Sequence, residues 1–223
     1  NEKYSHGADI RTVSEDASKP ERTLSVRIVA PTESSALNTG YSNNQIVVNI
    51  PNVRKPIPLF IVFRALGIIS DKKIIEYCLL DLEENSSMVD LFIPSIHDAG
   101  KIFTQETALE YIKTFTKGHT TNYVLDILMN YFLPNIGELN FQQKAYFLGY
   151  IVKNLLLVFT KMELPTDRDS FNFKRVELPG MLLYDLFKEY LKIQHDNIKL
   201  KFDKEYNLKK SKAVYQNESF KDL

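Results

Sequence analysis

The chain has 223 residues, of which 44% are apolar, so it can bury the core of one large domain or of one domain with a small appendage. Lys plus Arg and Asp plus Glu number 28 each, which leaves no net charge and excludes a protein that wraps nucleic acid with a positive field over its whole surface. The single cysteine, Cys78, lies in an apolar run, excludes an internal disulfide and a cysteine zinc cluster, and fits an intracellular, reducing compartment.

No stretch of the sequence has the features of a targeting or membrane segment. The most apolar run, residues 146–159, contains Lys153 and Asn154 and is too short to cross a bilayer. The first residues, Asn-Glu-Lys-Tyr, do not form a signal peptide. Because the chain does not begin with Met, we expect it to be a fragment of a longer protein.

Residues 1–50 are predicted to form β structure joined by loops. Residues 24–29 alternate between apolar and polar side chains, and residues 45–50 are rich in β-branched side chains. Residues 16–20 and 33–44 have the composition of loops. We therefore predict a small antiparallel sheet of two or three strands.

A helical body is predicted from residue 57 to residue 195, after prolines at positions 51, 56 and 58 end the β region. Its helices are predicted over residues 57–66, 71–79, 88–96, 104–115, 123–133, 141–160 and 180–194. The longest helix, 141–160, is apolar around most of its circumference from Phe147 onward, so we place it in the centre of the domain. The predicted fold class is α+β, a mainly helical body with a small N-terminal antiparallel β-sheet.

Several single residues support these helix ends. Gly67 is predicted to cap the first helix at its C-terminus, and Ser70 and Thr104 are predicted N-caps. Arg64 stands in an apolar run, and two interpretations remain open for it. It either bonds backbone carbonyls at the end of its helix or contacts a neighbouring domain.

The highest local concentration of charge lies in residues 166–178, here called the charged loop. Five charged side chains fall within nine positions, with Phe171 and Phe173 between them: Asp167, Arg168, Asp169, Lys174 and Arg175. One interpretation is an internal ion network that fixes the connection between two helices, and the other is a functional site. Surface ion pairs contribute at most about 1 kcal/mol each, so stability alone is a weak reason to collect so many.

The helix after the charged loop is predicted to bury one apolar face. The residues of that face are Leu182, Leu183, Leu186, Phe187 and Tyr190. Beyond it, residues 192–212 contain seven lysines and three acids, which we interpret as a solvated helix face with a frayed, poorly ordered end.

The charged loop, with Asp-Arg-Asp followed after four residues by Lys-Arg and then by an apolar helix, resembles a segment of a known family. Over residues 4 to about 195 the sequence resembles, in the same order, the second-largest subunit of multisubunit DNA-dependent RNA polymerases of the eukaryotic and large DNA virus type. The other segments that carry the resemblance are Tyr4–His6 with Ile10-Arg11, Ile57–Ile68, Glu106–Leu109, Phe132–Pro134 and Lys144–Tyr150.

The resemblance implies a non-catalytic lobe domain that forms a wall of the DNA cleft, near the downstream edge of the bubble, and receives general transcription factors on its outer surface. It implies that other polymerase domains and subunits are partners, that the active centre and its magnesium lie elsewhere, and that this segment binds no cofactor. Residues 1–195 would be the lobe, and residues 196–223 would lead toward the fork region. The expected location is intracellular: the nucleus in a cell, or a cytoplasmic factory or virion for a large DNA virus.

The resemblance also assigns roles within the charged loop. The residues expected to face nucleic acid or the fork region are Asp169, Lys174 and Arg175, with Arg168 as a lesser candidate. Asp167 would orient the arginines. Asn172 stands where the family often has glycine, and asparagine is one of the few other residues that tolerate a left-handed backbone.

Two alternatives to a polymerase domain remain open for the same residues. One is a helical protein-interaction module without nucleic-acid contact. The other is a small metal-dependent nuclease that uses Asp167 and Asp169, although the cations of the charged loop would compete for both carboxylates. The four histidines lack the spacing of a helical zinc site, and no phosphate-binding glycine loop or nucleophile motif is present.

Overall fold

The computed structural model describes residues 3–12, 22–31, 43–167, 169–174, 176 and 178–212. The chain divides into two compact units, residues 1–165 and residues 166–223. The strands of the first unit are β1 (Tyr4–Thr12), β2 (Arg22–Val29), β3 (Ile46–Asn49) and β4 (Ile57–Pro58). Its helices are α1 (Leu59–Ala65), α2 (Asp71–Leu79), α3 (Ser86–Val89), α4 (Ile93–Ala99), α5 (Gln105–Lys113), α6 (Thr121–Asn130) and α7 (Phe141–Phe159).

The four strands form one antiparallel sheet in the order β1-β2-β3-β4. In β2 the side chains of Leu24, Val26 and Ile28 are buried, as their alternation predicts. The sheet has more strands than predicted because β4, at Ile57–Pro58, lies where the helix over 57–66 was predicted to begin. Strand β1 gives a weak apolar signal because it is an edge strand whose residues are mostly half-buried or exposed. The α+β fold class is confirmed.

Helix α1 is buried on all sides, and every residue from Leu59 to Ala65 is inside the core. Its end has the geometry predicted for a glycine cap. The Gly67 N–H donates to the Arg64 carbonyl at 3.0 Å and the Ile68 N–H donates to the Phe63 carbonyl at 3.0 Å, while Gly67 has a φ of 97°. A residue with a Cβ would be strained at that angle.

Helix α7 is the longest helix of the described first unit. From Phe147 to Phe159 every residue except Tyr150 is buried or half-buried, as expected for a helix placed near the centre of the domain. Before Phe147 the helix has an exposed side with Gln143 and Tyr146. A tyrosine ring can cover an apolar surface while its hydroxyl stays in water.

Helices α2 and α7 pack unusually closely at Gly149. A Cβ at this position would collide with the backbone carbonyl of Tyr77 in α2. Cys78, the next residue of α2, is fully buried, as predicted. The close approach fixes α2 against the buried side of α7.

Among the described residues of the first unit, two full charges are buried. Arg64 is 2% exposed; one of its Nη atoms donates to the Ile102 carbonyl, and the other lies 2.5 Å from Asp71 Oδ1. Lys144 is 0% exposed, and its Nζ donates to the carbonyls of Leu128 and Met129 at 2.8 Å each. Arg64 therefore bonds a carbonyl within its own unit, and Lys144 satisfies carbonyls in the last turn of α6.

Of three predicted helix boundaries, the N-cap at Thr104 is confirmed and the other two are shifted by proline residues. Thr104 caps α5 through a reciprocal pair of bonds with Thr107, as expected for an N-cap. The helix predicted over residues 88–96 is interrupted by a 3-10 turn at Asp90–Phe92. A separate helix, α4, begins after this turn, because Pro94 is suited to the first turn of a helix and not to its interior. Helix α6 ends before Leu133, which has a left-handed φ of 47° and precedes Pro134.

The second unit contains α8 (Pro179–Lys212), a helix of 34 residues. It continues past residue 194, where the predicted helix ended, so the predicted boundary at residue 195 falls inside it. The predicted burial of its apolar face is wrong: Leu182, Leu183, Leu186, Phe187 and Tyr190 are between 50% and 66% exposed. In the described part of this unit α8 is the only helix or strand, so the face has no element of its own unit to pack on.

Among the described residues, no helix combines the length and apolarity needed to span a bilayer.

Candidate nucleic-acid interface

The described part of the charged loop is a turn held by its own backbone and by Asp167. The Ser170 N–H donates to the Asp167 carbonyl at 3.1 Å, and the Lys174 N–H donates to the Ser170 carbonyl at 3.2 Å. The Asp167 carboxylate accepts from the Asp169 N–H at 2.9 Å. This bond is typical of aspartate at the start of a turn, so Asp167 supports the loop by ordering its backbone.

Asn172 lies within this turn with an ordinary backbone. Its φ is not positive, and its N–H donates to the Ser170 hydroxyl at 3.4 Å. The left-handed conformation considered for this position is therefore not used. The turn forms without it because Ser170 and Asp167 supply the acceptors.

Asp169 and Lys174 are brought together across the turn. Lys174 Nζ lies 2.9 Å from Asp169 Oδ1, and the two side chains are 52% and 79% exposed, respectively. A pair so open to water contributes at most about 1 kcal/mol. Both groups can therefore exchange this contact for a ligand at little cost.

Arg168 and Arg175, the other two predicted contact residues, lie outside the described residues. The predicted orientation of the arginines by Asp167 depends on them and stays a prediction. Of the four residues expected to face nucleic acid, the structure thus brings together Asp169 and Lys174.

Two aromatic residues of the same turn are exposed. Phe171 is 82% exposed and Phe173 is 63% exposed. The turn therefore presents a carboxylate that can accept from a base amino group, an ammonium that can bind a phosphate, and rings that can stack on unpaired bases. These are the contacts that a protein makes with single-stranded or melted nucleic acid.

Three features describe the His, Cys, Asp and Glu residues outside the charged loop. No group of three His, Cys, Asp or Glu residues among the described residues could hold a metal ion. Burial raises the pKa of the Cys78 thiol far above its usual value, which makes this cysteine unreactive. His6 packs edge-on against Phe159, with ring centroids 5.4 Å apart.

Sequence reasoning missed an aromatic groove on the first unit. The groove has a volume of 600 Å³ and lies on the exposed side of α7; its lining residues are Ile136, Gln142, Gln143, Tyr146, Phe147 and Tyr150. The signal was present in the sequence, because Tyr146 and Tyr150 are four residues apart and share one helix face.

Comparison with known proteins gives a consistent result over most of the chain. Residues 10–177 match the family described as RNA polymerase Rpb2, domain 2. The DNA-directed RNA polymerase II subunit 2 of Arabidopsis thaliana is 36% identical over 194 residues, which cover 83% of this chain and 16% of the plant protein.

Two further relatives extend this comparison. The DNA-directed RNA polymerase II subunit RPB2 of Eremothecium gossypii is 34% identical over 219 residues, or 92% of this chain and 17% of the fungal protein. The DNA-directed RNA polymerase subunit Rpo2N of Methanocaldococcus jannaschii is 34% identical over 150 residues, or 64% of this chain and 30% of the archaeal protein. The chain thus spans about a sixth of the length of the eukaryotic relatives.

Proposed function

Because the chain belongs to the family of second-largest subunits of DNA-directed RNA polymerases, where it corresponds to the lobe domain, we propose that it forms one wall of the DNA cleft in an assembled polymerase. The charged loop lies near the downstream edge of the bubble. The outer surface receives general transcription factors, and other domains and subunits of the polymerase complete the cleft.

The observation that supports this role is the exposed Asp169–Lys174 pair on an ordered turn. Asp169 accepts a hydrogen bond from a base amino group of the non-template strand, and Lys174 binds a phosphate. Arg168 and Arg175 add cations on either side in the sequence. Asp167 keeps the turn in shape, so that the carboxylate and the ammonium are presented together.

The lobe positions the DNA and supplies charged side chains to it, and it catalyses no chemical step. The active centre and its magnesium lie in another part of the polymerase. The isolated chain binds duplex DNA weakly, because its net charge is zero and the charged loop offers few phosphate contacts, whereas firm binding commonly uses about six or more. The location follows that of the enzyme: the nucleus in a cell, or a cytoplasmic factory or virion for a large DNA virus.

The test replaces Lys174 and Arg175 with alanine in the whole polymerase and measures open-complex lifetime as a function of salt. We expect a shorter lifetime and a salt slope reduced by about one for each lost phosphate contact. The matched control replaces Lys73 and Lys117, two lysines of the first unit that are exposed, and leaves both quantities unchanged. An unchanged lifetime and slope in the Lys174 and Arg175 variant would show that the charged loop is only a structural connection.

A second candidate function, a protein-interaction module without DNA contact, is favoured by one specific observation. The apolar face of α8 is exposed over most of its length, as an unoccupied protein-binding surface would be. Photo-cross-linking from position 171 in the assembled polymerase separates the two functions. Cross-links to DNA support the cleft wall, and cross-links to protein alone support the interaction module.

A further inference from the structure

Two loops of the first unit meet at one place on its surface. Residues 51–56 precede β4, and residues 114–120 connect α5 to α6. Val53 and Thr116 form an antiparallel bridge, and the Arg54 N–H donates to the Phe115 carbonyl at 3.0 Å. The two loops are therefore held together by their backbones, and their side chains share one surface.

This junction carries cations that the described chain does not neutralise. Arg54, Lys55 and Lys117 are exposed, and we call them the basic patch. The sequence has no Asp or Glu at positions 43–70 or 111–125, and none of the described residues forms an ion pair with these three side chains. The adjoining Lys113, by contrast, lies 4.0 Å from Glu110 Oε1. The basic patch is thus a small surface of uncompensated positive charge.

The three cations are close enough to act on one ligand segment. With Val53 opposite Thr116, positions 54 and 117 are diagonal neighbours of an antiparallel pair, about 7–8 Å apart. Lys55 Nζ lies 5.4 Å from the centre of the Phe115 ring, which keeps its ammonium at the same junction. Charges are screened over about 8 Å at physiological ionic strength, so the fields of the three cations overlap.

The size and surroundings of the basic patch favour protein over nucleic acid. Firm binding of DNA commonly uses about six or more phosphate contacts, and the patch supplies three cations. Single strands also need rings on which bases can stack, but Phe115 is half-buried and packs edge-on against Tyr111 at 5.2 Å. Val53 and Phe115 instead offer a half-buried apolar surface beside the cations, on which apolar side chains of a peptide can pack.

We propose that the basic patch binds an extended acidic segment of a partner protein, in which apolar residues stand between the carboxylates. The carboxylates pair with Arg54, Lys55 and Lys117, and an apolar side chain of the segment packs on Val53 and Phe115. Exposed ion pairs are individually weak and are screened by salt, so this contact adds to a larger docking interface. It specifies the chemistry of a partner for the docking role in the proposed function, on which this inference rests.

The experiment treats the assembled polymerase, with its initiation factors bound, with a water-soluble carbodiimide. This reagent joins a lysine amine to a carboxylate that is already in contact with it, and mass spectrometry of the digested complex identifies the linked peptides. We expect both Lys55 and Lys117 to be linked to one segment of another protein that is rich in Asp and Glu. The yield of both links should fall as salt is raised, because the contact is ionic.

Arg54→Glu tests the basic patch without removing either reactive lysine. Reversing this charge should lower the yield of both links about fivefold, because one ion pair is lost and a repulsion is introduced. Arg54→Lys, which keeps the charge, should preserve the yield. The matched control is Lys73→Glu, at an exposed position of α2, which should leave both links unchanged. The unfolding midpoint verifies each variant.

Four results would overturn the proposal. They are the absence of a link at either lysine, links only to carboxylates of the same subunit, an unchanged yield in the Arg54→Glu variant, and formaldehyde links from these lysines to DNA in place of links to protein. None of these results would overturn the cleft-wall proposal, because Lys174 and Arg175 are not part of the basic patch. Conversely, an unchanged open-complex lifetime in the Lys174 and Arg175 variant would not alter the carbodiimide links.

Discussion

In residues 1–165, Arg64 and Lys144 place full charges in the interior and satisfy them with carbonyls and one carboxylate, whereas in residues 166–223 apolar side chains along α8 face the solvent. Burying a charge is costly unless hydrogen bonds replace its water, so the first unit depends on the bonds that Arg64 and Lys144 make in the interior. The second unit gains little from its own apolar residues. The first unit is thus stabilised by its own buried contacts, while the exposed apolar side chains of the second suit it to contact with other molecules.

The largest expected contrast is in thiol reactivity. Cys78 is fully buried, and burial raises the pKa of its thiol, while Gln194→Cys would place a second thiol on the exposed surface of α8. At pH 8 we expect Cys78 to react with a disulfide reagent at least about 10³-fold more slowly, because the first unit must open first. In urea both thiols should react equally, and comparable rates in the native chain would contradict the contrast.

Lys144→Met tests the internal bonding of the first unit. Methionine keeps an unbranched apolar chain in place of the lysine methylenes but leaves the carbonyls of Leu128 and Met129 without this donor, so the free energy of unfolding should fall by about 3 kcal/mol. Urea unfolding followed by circular dichroism measures the change. Lys73→Met, at an exposed position of α2, should change it by less than about 0.5 kcal/mol, and equal effects would mean that Lys144 is not a structural residue.

Gly149→Ala should have a somewhat smaller effect. The new Cβ collides with the Tyr77 carbonyl, and separating α2 from α7 should cost about 2 kcal/mol in the same assay. Gly180→Ala in α8 is the matched change, because nothing lies within 4 Å of a Cβ there. It should be neutral or stabilising by up to about 1 kcal/mol. Destabilisation by both changes would remove the difference between the two units.

The smallest effect is expected for Leu183→Gln on the apolar face of α8. Leu183 is 66% exposed, so the free energy of unfolding should change by less than about 0.5 kcal/mol. Leu148→Gln in the buried face of α7 shows that the assay detects a core change, and it should cost at least about 3 kcal/mol. A loss above about 1 kcal/mol for Leu183→Gln would mean that the α8 face contributes to folding of the isolated chain.

The parts of the fold that depend on local pattern could be predicted from the sequence. The alternation around Val26, the glycine cap at Gly67 and the N-cap at Thr104 are determined by residues close to them in the chain. The role of Lys144 could not be predicted, because its acceptors lie in another helix. In the sequence, Lys144 is the first residue of the run Lys144–Tyr150, which indicates the family but not the burial of this charge.

The candidate site divides in the same way. The sequence identified the charged loop as a unit and placed Asp169 and Lys174 in it, and the structure adds their contact and the bond from Asp167. The groove at Tyr146 was missed because its shape depends on Tyr77, which is distant in sequence. An apolar periodicity also predicts which face of α8 is apolar without stating whether anything covers it.

Helix α8 also sets a length scale. Its 34 residues correspond to about 51 Å at the rise of an α-helix, a distance comparable to the diameter of a whole domain. Its first residue, Pro179, follows the charged loop directly. A displacement of the loop on binding a ligand can therefore be transmitted along one continuous rod, and a contact at the far end can pull on the loop in return.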